Sequence, residues 1–326
     1  MYEIFNIIGS AFGYLLWFLF QLVNNYGVAI ILFTVILKII ILPSVIHQQK
    51  SMAKSSKLAV KQKELQKKYA NDKNKLNEEI SKLYQKEGVS PLGGCLPQIV
   101  PMLLLLGVYY SVIMPLTNTM HIPADTVNNA VGYLNSLPGI GTSFGGFYGQ
   151  IDIIKLSQTN EGITYLNQFF DANTIKEITH LGNGFDFLGL DLLGKPNDGF
   201  SNLLLIPILC LVSSVGSQFY MMKTQSAMQT QQGCMKYTLL LLPLITAGIA
   251  YSVPAAVGLY WIISTVIGFA QSVLMQKFYN ADIINANDEA RHIALLEVEE
   301  AKVKYDYNPK VTNTNVNNNT KKKKKK

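Results

Sequence analysis

Five apolar stretches, each about twenty residues long, constrain the fold of this chain more than any other feature. A bilayer core of about 30 Å needs about 20 helical residues to cross it, and each span must satisfy its own backbone hydrogen bonds. The five stretches are 28–46, 96–114, 203–222, 237–253 and 255–275. Only Pro254 separates the last two, which favours a tight turn and an antiparallel pair. The sequence therefore predicts an all-α polytopic membrane protein with five transmembrane helices.

The positions of the lysines predict how these spans are oriented. Residues 48–90 carry eleven lysines against five acids, residues 223–236 two against none, and residues 277–326 ten lysines and one arginine against seven acids. Residues 116–200, in contrast, carry three lysines against eight acids. Loops rich in Lys and Arg stay in the cytoplasm. We therefore expect a multi-pass protein of the cell membrane with its N-terminus outside and its C-terminus in the cytoplasm.

A sixth apolar stretch, residues 4–23, is long enough to span but carries polar residues at close to helical spacing. The polar residues are Glu3, Asn6, Ser10, Tyr14, Gln21 and Asn24. This stripe favours an amphipathic helix lying on the membrane, while the length keeps a sixth span open as the alternative. A signal peptide is not expected, because the stretch lacks a basic n-region and a small-residue cleavage site.

These patterns divide the chain into ten predicted segments. They are an interfacial helix at 1–26, spans at 27–47, 91–115, 201–222, 237–253 and 254–277, a basic helical hairpin at 48–90, an extracellular loop at 116–200, a short cytoplasmic loop at 223–236 and a cytoplasmic tail at 278–326.

The cytoplasmic segments are expected to be strongly basic. Ala70, Asn71 and Asp72 supply the turn of the hairpin, and the dense lysine surface of its arms fits a solvated hairpin or an electrostatic dock equally well. The Asn-rich tail cannot form a core, so we expect disorder at its end. It ends in six residues that suit anionic lipid or ribosomal RNA phosphate, namely Lys321, Lys322, Lys323, Lys324, Lys325 and Lys326.

No motif for catalysis or metal binding is present. The three cysteines and four histidines are scattered and have no ligand or triad spacing. Gly93 and Gly94 lack the Lys-Ser/Thr that a P-loop needs, and the five apolar stretches contain no acid or histidine for an embedded active site. We expect no enzymatic activity, no cofactor and no metal.

One charge does lie within a predicted span. Lys38 lies ten residues past Val28, about 15 Å into a core of about 30 Å. A lysine at this depth costs about 2.5 to 3.5 kcal/mol on insertion scales, so an idle lipid-facing position is disfavoured. The alternatives are a structural lysine bonded to carbonyls or hydroxyls within the bundle and a functional charge on a polar pathway.

Polar side chains in several predicted spans are candidates to face this lysine, although singly such residues often only join helices. Together with a cation that has no acid to neutralise it, they predict a water-containing cavity of positive potential, which would attract a polar, preferably acidic, segment. The candidates are Thr34, Gln98, Ser214, Gln218, Tyr260, Ser264 and Gln271.

Four strings, in order along the chain, resemble the YidC family of membrane protein insertases. They are NNYGVAIILFTVILKIIILP, SPLGGCLPQIVPMLLLLGVYYSV, FLGLDLLGKPND and PAAVGLYWIISTVIGFAQ. The resemblance covers about residues 24–276, except part of the 116–200 segment. It implies a five-span core, an amphipathic outer helix, a cytoplasmic hairpin, and a hydrophilic groove open to cytoplasm and lipid. It also implies no ATPase, no enzymatic activity and no continuous pore.

The sequence departs from that family in two respects. The family usually has an arginine in the groove, in a phrase like TLLVRLILLP, where this chain has Lys38. Lysine keeps the charge but loses the bidentate fork. The segment between the second and third spans is also longer than expected, and its glycine-rich string GIGTSFGGFYG does not resemble the large periplasmic domain of Gram-negative members. This absence points to a Gram-positive-type member from a single-membrane bacterium.

The expected function is insertion of newly made proteins into the cytoplasmic membrane and help with their folding, alone or with the Sec translocon. The expected partners are nascent membrane proteins and membrane lipids, with the Sec translocon, the signal recognition particle receptor and the ribosome as further candidates. One alternative is a small secondary transporter or channel with Lys38 as its anion site, although the five unequal spans show no internal repeat. Another is a structural assembly factor whose hairpin scaffolds partners.

Overall fold

The computed structural model describes residues 2–86, 106–137, 148–224 and 234–302, and these are almost wholly helical. The only strands among them form a two-stranded antiparallel hairpin, Asp186–Phe187 (β1) with Leu190–Asp191 (β2). The chain divides into two compact units, Met1–Ile284 and Asn285–Lys326. The all-α class is therefore confirmed.

The N-terminal part contains α1 (Tyr2–Val23), α2 (Tyr26–Lys68) and α3 (Lys73–Lys86). The Asn25 side chain caps α2 by accepting a hydrogen bond of 3.1 Å from the Val28 amide. Where the sequence separates the first span from the first hairpin arm, the structure has one helix of 43 residues with Pro43 inside it. The chain then turns at residues 69–72, and Asp72 accepts from the Lys75 amide at the start of α3.

Residues 116–200 fold into a helical unit rather than an irregular loop. A helical segment at 106–113 (α4) and a π-helical turn, Pro115–Thr119, lead into it. Its helices are α5 (Ala124–Ser136), α6 (Gly149–Leu156), α7 (Asn160–Leu166) and α8 (Ala172–Asn183). The inward faces bury an apolar core that includes Val127, Leu134, Ile154, Ile178 and Leu181. Residues 139–147, most of the glycine-rich string, lie outside the described residues.

The C-terminal helices are α9 (Leu205–Thr224), α10 (Cys234–Ser252), α11 (Ala255–Phe278) and α12 (Ala281–Lys302). Short 3-10 turns at Pro196–Asp198 and Asn202–Leu204 precede them. Three described helical stretches are long and apolar enough to cross a membrane, namely Tyr26–Lys50, Asn202–Thr224 and Ala255–Lys302, and Gly9–Val23 and Leu241–Ser252 are shorter apolar helices. The predicted second span, 91–115, lies mostly outside the described residues. The count of five spans and the segment boundaries remain predictions.

Backbone carbonyls of the 116–200 segment cap two of these long helices. The Tyr26 amide at the start of α2 donates to the Gly184 carbonyl at 2.8 Å. At the start of α11, the Ala255 and Ala256 amides donate to the carbonyls of Gly194 and Leu192, each at 2.9 Å. Helix N-termini otherwise leave these N–H groups without partners. We therefore call residues 116–200 the cap segment.

Helix α1 packs closely on neighbouring elements. Its Gly9 carbonyl accepts from the Ser111 hydroxyl of α4 at 2.7 Å. Phe12 packs edge-on against Phe33 of α2, with ring centroids 5.6 Å apart. Leu16 and Phe20 of α1 are fully buried. Helix α1 thus forms part of the core of the first unit.

The polar stripe of α1 contacts the cap segment. The Tyr14 ring stacks on His121, and the His121 Nε2 lies 3.4 Å from the Ser10 carbonyl. At the end of α1, His180 Nε2 lies 3.0 Å from Asn24 Oδ1. Part of a stripe that the sequence assigns to a helix on the membrane surface therefore binds protein instead. The interfacial position of α1 remains a prediction.

The close packing of α1 predicts that Gly13→Ala destabilises the fold. A methyl group at Gly13 would overlap the backbone carbonyl of Asn118, and overpacking of this kind costs about 1–3 kcal/mol. Gly132→Ala in α5 is the matched control, because nothing lies within 4 Å of its added methyl group and alanine is the better helix former. Thermal unfolding of the detergent-solubilised variants should show a lower midpoint for Gly13→Ala and an unchanged or higher one for Gly132→Ala. Equal midpoints would contradict the packing of α1.

Candidate substrate groove

Lys38 of α2 lies against the backbone of α11. Its Nζ is 3.5 Å from the position that a Cβ atom would take at Gly268. The lysine is half-buried, and it makes no ion pair within the described part of the chain. Since the predicted spans contain no acid, this cation depends on dipoles and water for its stabilisation.

The α11 face that meets Lys38 carries three of the predicted groove residues. Tyr260, Ser264, Gly268 and Gln271 follow one another at intervals of four, four and three, which puts them on one side of a helix. Tyr260 is buried and its hydroxyl interacts with Ser264, whereas Ser264 and Gln271 are half-exposed. The structure therefore brings Lys38, Ser264 and Gln271 to the same helix interface, with Tyr260 two turns from Gly268 towards the capped end.

Lys38 and Gly268 lie at equal distances from the cap segment. Helices α2 and α11 both start at its carbonyls, and Lys38 follows Tyr26 by twelve residues, as Gly268 follows Ala256. Both positions are about 18 Å along their helices. Equal spacing from a common cap means that the two helices run in the same direction.

Gln218 of α9 lies at the same level. Helix α9 is parallel to α11, because Cys210 Sγ donates to the Gly258 carbonyl and, further along, Tyr220 packs edge-on against Phe269. Gln218 precedes Tyr220 by two residues, so it lies just before that ring pair along α9. Its Nε2 is buried and has no hydrogen-bond partner among the described residues. A buried amide N–H without a partner is unfavourable unless water or a ligand meets it.

The remaining predicted site residues have different surroundings. Thr34 is 1% exposed and its hydroxyl donates to the Ile30 carbonyl of its own helix at 2.6 Å, so it is satisfied inside the core. Ser214, on α9 one turn before Gln218, is half-buried. Gln98 and residues 321–326 lie outside the described residues.

Gly268 is the residue that the sequence interpretation missed. A methyl group at this position would lie at van der Waals distance from the lysine amine, so glycine brings the amine next to the bare helix surface, and the Gly268 carbonyl accepts from the Ser272 hydroxyl at 2.9 Å. The available signal was a glycine within an apolar helix on the same face as Ser264 and Gln271. Glycine in a helix interior costs about 1 kcal/mol relative to alanine, so such a position has a packing or functional reason.

The hairpin arm α3 is a solvated basic surface at its described residues. Lys82 Nζ lies 2.8 Å from Glu78 and 3.1 Å from Glu79. The hydrogen bond from Lys82 lowers the pKa of Glu78 below its usual range, and the same contacts raise the pKa of Lys82. These pairs lie at the surface and add little stability. Lys73–Lys86 carries four lysines against two acids, so the surface of α3 stays basic.

Comparison with known proteins shows what the whole chain is similar to. The family model described as 60Kd inner membrane protein matches residues 18–282. A protein of Caldanaerobacter subterraneus named membrane protein insertase YidC is 47% identical over 93 residues, 28% of this chain and 45% of the relative. A protein of the same name from Fusobacterium nucleatum is 42% identical over 118 residues, 35% of this chain and 58% of the relative.

A plant relative matches over a longer range. The chloroplastic inner membrane protein PPF-1 of Pisum sativum is 30% identical over 263 residues, 79% of this chain and 50% of the relative. The chain thus spans about half the length of the curated relatives it matches.

The geometry predicts that water reaches residue 38 but not residue 39. Ile39 is 64% exposed but adjoins an apolar surface, whereas Lys38 faces the polar side of α11. In a variant with Cys95, Cys210 and Cys234 changed to Ser, Lys38→Cys should react with an aqueous maleimide at least about tenfold faster than Ile39→Cys, because apolar surroundings suppress the reactive thiolate. Labelling of intact protein in membranes measures this. Equal rates would mean that no water reaches Lys38.

Proposed function

Because the chain belongs to the 60Kd inner membrane protein family, we propose that it inserts newly made proteins into the cytoplasmic membrane and helps them fold. The observation that carries the proposal is a cation, without an ion pair in the described part of the chain, placed against a polar helix face. Lys38 meets the side of α11 that bears Ser264 and Gln271, at the level where the Gln218 amide has no partner among the described residues. A groove of this composition suits a polar peptide segment that must leave water for a time.

The proposed mechanism is transient capture without nucleotide hydrolysis. The polar part of a substrate that must cross the membrane enters the groove. There, Lys38, Gln218, Ser264 and Gln271 replace part of its lost hydration and shorten the apolar barrier. Ser214, Tyr260, Thr34 and Gln98 complete the predicted groove set, Tyr260 and Thr34 as supporting residues.

The driving force in this mechanism comes from the substrate itself. Its apolar helix moves from the groove into lipid, and burial of about 20 apolar residues gives the free energy that the step needs. The protein then only lowers the barrier for the polar segment. This division of labour needs no catalytic side chain, cofactor or metal.

The proposed orientation has the cap segment outside and the hairpin α2–α3 in the cytoplasm. The lysine distribution supports it, because residues 48–90 are basic and residues 116–200 are acidic. In this orientation the hairpin meets nascent chains and their targeting factors, with the Sec translocon, the signal recognition particle receptor and the ribosome as proposed partners.

Reconstitution of the full chain into liposomes tests the proposal against a transporter. A purified insertase should insert a single-span substrate without Sec components, as scored by protease protection of the translocated end. A transporter that uses Lys38 as an anion site should instead move a solute and leave the substrate outside. Substrate that remains fully digestible at every protein density would overturn the proposal.

The groove mechanism predicts a graded effect of charge at position 38. Lys38→Arg should retain insertion, because a solvated site needs charge more than shape. Lys38→Ala should slow insertion of a substrate with an acidic translocated segment by about tenfold, equivalent to about 1.4 kcal/mol. Lys38→Glu should be the slowest with that substrate, because it adds repulsion. Protease protection over time measures each rate.

A matched substrate with a neutral translocated segment is the control, and it should respond less to every change. Thermal unfolding of each variant separates loss of function from loss of fold, since Ala removes an unpaired charge and can stabilise the bundle. Equal insertion of both substrates by the wild type, Ala and Glu variants would leave Lys38 a structural residue.

The C-terminal lysines predict salt-sensitive binding of an anionic partner. We propose that Lys321, Lys322, Lys323, Lys324, Lys325 and Lys326 bind ribosomal RNA or anionic lipid by counterion release. Co-sedimentation with ribosomes, or with vesicles of anionic lipid, should fall steeply as salt rises, and should fall further when the chain is truncated after Asn308. If the truncated chain co-sediments as well as the full chain at every salt concentration, the tail does not bind.

A further inference from the structure

The hairpin β1–β2 turns through two residues that both have a positive φ. Leu188 has φ 55° and Gly189 has φ 78°, and the strands pair in register Asp186 with Asp191 and Phe187 with Leu190. Two positive φ values in a two-residue loop define a type I′ turn, which strongly prefers Asn followed by Gly. Here a leucine occupies the position where asparagine is favoured.

Leucine is a poor choice at this position for a hairpin in water. Its branched side chain makes the left-handed conformation unfavourable, whereas Asn and Gly tolerate it. The side chain is also 86% exposed. Asparagine would relieve the backbone and remove an exposed apolar group at once. Folding in water therefore does not account for Leu188.

The hairpin is fixed at the capped end of α2. The Asn25 Nδ2 donates to the Asp186 carbonyl at 2.7 Å. The Phe187 ring covers Gly27 in the first turn of α2, where any side chain would overlap it. Since consecutive Cα atoms are 3.8 Å apart, Leu188 lies close to the level at which this long apolar helix begins.

A second highly exposed apolar residue, the aromatic Phe200, lies just before the start of α9 and near the capped end of α11. Phe200 precedes the turn Asn202–Leu204 that leads into α9, and its side chain is fully exposed. Leu203 of that turn packs on Gly194, whose carbonyl caps α11. The starts of three long apolar helices thus carry an exposed Leu or Phe beside them.

We propose that Leu188 and Phe200 are membrane anchors that insert into the boundary between headgroups and acyl chains at the capped end of the spans. Transfer of exposed apolar and aromatic side chains into that boundary is favourable. This favourable transfer offsets the cost of their exposure and of the strained turn. Asp186 and Asp191, one residue pair behind the tip, are exposed and remain with the headgroups and water. The two anchors hold the cap segment against the lipid surface.

Depth-resolved fluorescence of the full chain in phosphatidylcholine vesicles tests the anchors. With the native Trp17 and Trp261 changed to Phe, one tryptophan is introduced by Leu188→Trp, Phe200→Trp or, as control, Asn173→Trp at the exposed start of α8. Lipids brominated near the headgroup end of the acyl chain should quench the first two at least about twofold more than the control. Equal quenching at all three positions, or full access of iodide to the first two, would overturn the proposal.

The Leu188→Asn variant gives an independent test, because the two explanations predict opposite signs. For a tip in water, Asn-Gly improves the turn, so amide hydrogen exchange of the hairpin in vesicles should slow. For a lipid anchor, the hairpin should exchange at least about threefold faster than wild type, since the local opening equilibrium loses the lipid contact. Leu188→Phe is the matched control and should exchange like wild type. Slower exchange in Leu188→Asn would overturn the anchor.

Discussion

The free N–H groups at the start of a helix constrain the rest of this structure. A helix in hydrocarbon satisfies its own interior backbone, but its first amides need partners from elsewhere. Carbonyls of Gly184, Leu192 and Gly194 supply them to α2 and α11. Because both helices start from one rigid segment, they run parallel and in fixed register. That register brings Lys38 level with Gly268, about 18 Å away from the cap.

Opposite Lys38, helix α11 has a glycine without a side chain and no acid. A side chain at Gly268 would occupy the space next to the amine, and no acid in the described spans neutralises the charge. An acid paired with the lysine at this level would neutralise its charge and leave little electrostatic potential to attract a substrate. In the proposed mechanism, a lysine that forms no ion pair among the described residues keeps its positive potential for an incoming segment. The cost of holding it is consistent with a functional rather than a purely structural group.

Much of this fold could be predicted from the sequence because its signals are local. The apolar stretches, the turn at Ala70–Asp72 and the lone charge at Lys38 each depend on a few neighbouring residues. The helical cap segment was not predictable in the same way, because its core joins residues as distant as Val127 and Leu181. His121 and His180 had no motif in the sequence, yet both lie against α1. Gly268 was missed because its role is to lack a side chain.

The lysine that this chain has where the sequence resemblance implies an arginine fits the same geometry. A guanidinium is a planar fork that binds carboxylates in two fixed directions, whereas an ammonium is a compact point charge on a flexible stem. The Lys38 amine lies 3.5 Å from the position that a Cβ atom would take at Gly268, and the compact ammonium fits against this glycine. A cation held in this way attracts acidic segments of any sequence, because Coulomb attraction falls with distance but does not depend on orientation. In the proposed mechanism, loss of the fork removes a selectivity that insertion of many different substrates would not need.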